Sequence, residues 1–152
     1  MMVHTVLIIL HVLTASAWFG LSLRLGNQAK FAATGQPAVA MDGSRTLALM
    51  GIMLMATFVL SMTLLAVGGG YPGLVQYHIA SALIIVLLAI QFVFLRPAWS
   101  KLRAAVDSNL QSERSMGDAV TRNSRKISMF AGMGHLIWVI LLVLMFWNRF
   151  SV

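Results

Sequence analysis

Cysteine is absent from the 152 residues, which excludes disulfides, thiolate metal sites and covalent c-type haem attachment. Acids are nearly as scarce: Asp42, Asp107, Glu113 and Asp118 are the only four. There is no HExxH, no paired carboxylate for two-metal hydrolysis and no helix-borne nucleophile beside a base, which argues against a hydrolase. The net charge of +7 would suggest nucleic acid in a soluble protein, yet no aromatics interleave with the basic residues. Attraction to anionic lipid headgroups accounts for them, and no nucleic-acid partner is expected.

What the chain has in abundance is apolar length. It is 59% hydrophobic with a mean hydropathy of +0.86. Four stretches, 3–25, 46–68, 74–96 and 127–148, reach the ~20 residues that a spanning helix needs. The expectation is an all-α fold, an integral membrane four-helix bundle forming one transmembrane domain over 1–152. The first stretch lacks a basic n-region and has too long an apolar core for a removable signal peptide. Ten of the eleven Lys and Arg residues lie in or beside the connections 26–45 and 97–126. The positive-inside rule makes both connections cytoplasmic and places the N- and C-termini outside.

Along the chain, the methionines of the second helix read as packing residues rather than metal ligands. Gly68-Gly69-Gly70-Tyr71-Pro72-Gly73 is a strong break. Arg96-Pro97 is expected to close the third helix, with Trp99 at the membrane interface. Ala98 to Leu110 reads as an amphipathic surface helix with Leu102, Val106 and Leu110 facing lipid. In the fourth helix Ser128 and Gly132 form a small-xxx-small surface for close helix approach. Gly134 leaves room beside His135 for something wide, and Trp147-Asn148-Arg149 ends the helix at the outer interface.

The chemistry-bearing pattern is a set of histidines in apolar helices. His4, His11 and Trp18 are spaced by seven and share one stripe of the first helix, which Ser22 extends and Thr14 and Ala15 flank. A polar line on such a helix faces protein or a cofactor rather than lipid. At 1.5 Å per residue His11 lies about 12 Å and His78 about 6 Å below the outer surface. His135 lies about 18 Å below it, so His11–His78 and His11–His135 are both feasible pairs. Neutral imidazoles on facing helices suit a b-type haem iron, with His11, His78 and His135 as candidate ligands and Trp18 packing near the macrocycle. Copper held by His and Met, and histidines that only hydrogen-bond across helices, are the competing readings.

His11-Val12-Leu13-Thr14-Ala15-Ser16-Ala17-Trp18-Phe19-Gly20 resembles the first-helix motif of a group of small bacterial membrane proteins. That group includes the HemJ-type protoporphyrinogen oxidases and the membrane domain of copper-resistance D proteins. The Tyr77-His78 start of the third helix, after a glycine-rich loop, resembles the same group. The resemblance implies a bacterial inner-membrane bundle binding haem b through histidine. It departs at Ala80, where the similar oxidases carry a lysine, and in the last helix, which lacks their asparagine and glutamate. The expected function is therefore a b-type haem protein for electron transfer, or a haem-bearing subunit of a larger redox complex. A protoporphyrinogen oxidase-like enzyme and a non-catalytic structural subunit are the alternatives, and the catalytic residues are not assigned. Expected partners are the lipid bilayer, a quinone or redox subunit, and a second copy in a homo-oligomer.

Overall fold

The computed structural model describes residues 2–67, 75–112 and 117–150, apart from the side chains of 109–112 and 147–150. The break at 68–73, Leu110 and the side chains of Trp147 and Arg149 lie outside the described residues. Helix α1 spans Met2–Ala32, α2 Pro37–Val67, α3 Val75–Ala89, α4 Arg96–Ser112 and α5 Asp118–Phe150. A π-helical turn, Ile90–Leu95, joins α3 to α4 without a gap. Four helices are long and apolar enough to cross a membrane, counting α3, the π turn and α4 as one. The chain is thus an all-α, multi-pass membrane bundle, in which each spanning helix satisfies its backbone groups internally, as lipid requires.

Helix α1 packs most extensively on α2 and also on α5, which in turn packs on α3 and α4; α2 completes the ring by packing on α4. The connection between α1 and α2 is a short turn, with Gly35 at φ 86°, a conformation suited to glycine. Most of the segment expected as a loop is therefore helix.

Arg96-Pro97 does not close the third helix. In an unbroken α-helix the Pro97 ring would clash with the carbonyl of Val93. Here the wider π turn falls just before it, with the Arg96 N–H donating to the Gln91 carbonyl, five residues back. The helix passes the proline and continues to Ser112. Gln91, buried by this turn, donates from Nε2 to the Leu47 carbonyl at 3.1 Å, while its Oε1 has no partner.

That continuation moves Trp99, Leu102 and Val106 from the expected lipid surface into the core, with relative exposures of 2%, 0% and 1%. Their stripe is apolar because it faces α1, α2 and α5, not because it lies on a membrane. The Trp99 indole lies against Gly43 and donates from Nε1 to the Ala40 carbonyl and to Ser44 Oγ, at 3.2 and 3.0 Å. Leu25, Ala29, Ala32, Val120 and Ile127 complete this core. Ser124 ties α5 to α1 by donating to the Ala29 carbonyl at 3.0 Å. Outside it, Asp42 accepts from Arg24 at 2.5 Å and from Gln28 at 2.7 Å, joining α2 to α1.

Packing is therefore uneven along the bundle. The end near the charged connections holds nearly the whole core. Towards the opposite end no described residue is buried over 2–17, 58–67, 75–83 or 135–146. Inward positions there, such as Leu7, His11, Ser61 and Leu141, remain partly exposed.

Candidate functional site

The polar residues of α1 meet two different neighbours. On the α2 side, His11 and Thr14 face Thr57 and Ser61. Thr57 Oγ1 lies 3.0 Å from Thr14 Oγ1, and Ser61 Oγ lies 3.3 Å from His11 Nδ1. Both α2 residues fall on one face, being four apart, and both also reach their own helix: Thr57 the Met53 carbonyl at 2.8 Å, Ser61 the Thr57 carbonyl at 2.7 Å. Neither hydroxyl is singled out by the sequence, where a Ser or Thr in an apolar helix reads simply as bonding its own preceding turn.

Ser61 Oγ lies 2.7 Å from the Thr57 carbonyl and 3.3 Å from His11 Nδ1, so one ring nitrogen of His11 is held by α2. A metal-ligating histidine is commonly held in this way at one ring nitrogen, with the other directed at the metal.

On the α5 side Ser22 Oγ reaches both the Phe19 carbonyl at 2.8 Å and His135 Nε2 at 2.7 Å. Whichever of Ser22 and His135 carries the shared proton, that nitrogen is engaged by Ser22. Phe19 meets the same imidazole edge-on, with ring centroids 5.2 Å apart, and stacks on Trp138 at 4.3 Å. His135 is built into the α1–α5 contact.

The expected pairings separate accordingly. Ser22, which holds His135, is eleven residues from His11, about 16 Å along the axis of α1. One iron spans only about 4 Å between two imidazole nitrogens. The structure does not bring His11 and His135 together. His78 is exposed on α3, in the same loosely packed half as His11, and His4 is half-buried in that half.

Trp18 is buried against Gly134, where an added β-carbon would lie 3.2 Å from its ring. The room that Gly134 leaves is filled by this indole, whose Nε1 has no partner. The expected close approach at Gly132 is not found: a β-carbon there would meet nothing within 4 Å. Met50 is fully buried and fills the core, in line with its reading as a packing residue.

Among the described residues no group of three or more His, Cys, Asp or Glu gathers to hold a metal ion. No family model, curated protein or solved structure matches the chain. The comparisons therefore add no support to the resemblance to the HemJ-type and copper-resistance D groups.

Proposed function

We propose that this membrane bundle is a b-type haem protein, acting as an electron carrier or as the haem-bearing subunit of a larger membrane redox complex. The observation that carries the reading is His11, held at Nδ1 by Ser61 3.3 Å away, in the loosely packed half of the bundle. A bare metal ion held by protein alone usually requires three or four ligands. Haem brings four nitrogens of its own and requires only one or two from the chain. The partly exposed inward positions around His11 offer a place for a wide, flat group. His11 and Ser61 fit it, and His78, in the same half, is the candidate second ligand.

In this reading His11 ligates and Ser61 fixes the plane of its ring. Haem b supplies one-electron redox chemistry when bound. His135 holds α5 against α1. Trp18 packs between helices rather than on the macrocycle. Ala80 provides no proton or positive charge beside His78, so an electron carrier is preferred to an oxidase. A quinone or a redox subunit is the partner class, in a bacterial inner membrane with both termini periplasmic.

Protein purified from haem-replete cells should show a Soret band and the pyridine-haemochrome spectrum of haem b. A colourless preparation without metal would overturn the proposal and leave a structural membrane subunit.

A further inference from the structure

On the opposite flank from His11, a groove of about 650 Å³ runs between α2 and the π turn with α4. Its lining is divided by polarity along its length. Arg96, Ser100 and Arg103 stand at the end near the charged connections, and Ile52, Met55 and Phe92 line the end within the apolar span. From the level of Ser44 to that of Met55 the wall contributed by α2 is about 16 Å long.

The cations at its head are available. Arg96 is exposed and has no ion pair among the described residues. Arg103 approaches Asp107 only at 3.8 Å and through Nε, which leaves its terminal nitrogens for another acceptor. A guanidinium presents a planar fork of donors matched to phosphate oxygens. An apolar trough ending in two such groups at the membrane surface matches a molecule with one anionic phosphodiester and long hydrocarbon tails. Basic recesses between spanning helices commonly take such headgroups.

We infer that this groove is a binding site for an anionic glycerophospholipid, with the phosphodiester on Arg96 and Arg103 and an acyl chain along Ile52, Met55 and Phe92. The π turn creates the site, because it brings the helix past Pro97 and so places Arg96 and Arg103 on one continuous helix above Phe92. The site is independent of the haem proposed on the other flank and stands whether or not haem is bound.

The test is native mass spectrometry of the protein released from vesicles of phosphatidylglycerol and phosphatidylcholine in equal parts. Phosphatidylglycerol should remain bound at least about fivefold more often than phosphatidylcholine, the ratio that ~1 kcal/mol from a single basic group predicts; two such groups acting fully would give about thirtyfold. R96Q/R103Q should remove that preference. A48W, which fills the exposed groove wall without touching the arginines, should reduce retention of both lipids. All three side chains are exposed, and unchanged helicity by circular dichroism would show that the variants fold. Equal retention of the two lipids, or a preference that survives R96Q/R103Q, would overturn the proposal. So would displacement of the lipid by inorganic phosphate, which would make this a phosphate site without a role for the chain. Failure of these outcomes would leave the haem reading untouched.

Discussion

A β-carbon built on Gly43 would overlap the six-membered ring of Trp99. The indole cannot retreat without giving up its bonds to the Ala40 carbonyl and Ser44, so the two residues are fitted to one another. Gly43→Ala should destabilise the bundle by about 1–3 kcal/mol, the usual cost of overpacking. Trp99→Phe removes the part of the ring that the new methyl would strike, so the double variant should lose less than the sum of the two singles. Thermal unfolding in detergent measures both. Additive losses would show that the contact is not the cause.

The haem reading separates His11 from His135. His11→Ala should abolish the Soret band. His135→Gln should retain it, because that imidazole is engaged by Ser22 at Nε2 and packed in the α1–α5 contact. Absorption spectra of the two purified variants decide the matter, and loss of haem only in the His135 variant would refute the assignment.

Ser61→Ala should retain haem but weaken its binding by about 10–100-fold, the usual effect of removing a group that orients a ligating histidine. Haem transfer to apomyoglobin gives the measurement. Ser22→Ala, by contrast, leaves His135 Nε2 without its hydrogen-bond partner. It should cost about 1–3 kcal/mol of stability and leave the spectrum unchanged.

The absence of cysteine supplies a clean background for topology. Gly117→Cys, at the exposed start of the turn into α5, should be shielded from an impermeant maleimide in intact cells. Met2→Cys should react. The reverse pattern would invert the orientation, placing His11 and His78 towards the cytoplasm.

The four spans were legible in the sequence because hydropathy over some twenty residues depends on no neighbour. The stripe of Trp99, Leu102 and Val106 was legible as a face but not as a core. An amphipathic helix next to a membrane looks the same whether its apolar side meets lipid or other helices. What settled the difference was the π turn, a local change of hydrogen-bond register that residue types near Pro97 do not announce. The histidine stripe was likewise visible, whereas the partners of His11 and His135 were not, because Ser61 and Ser22 lie on other helices and only the fold brings them to the imidazoles.

The unequal packing along the bundle also bears on the order in which its parts come together. Local opening is easiest where few apolar contacts hold the helices, so the end containing His11 can part while the end built on Leu25, Leu102 and Ile127 stays closed. Backbone amides at the two ends should then exchange hydrogen as separate cooperative units. In the haem reading, the macrocycle would enter sideways from the bilayer after the helices have assembled, with no need for global unfolding.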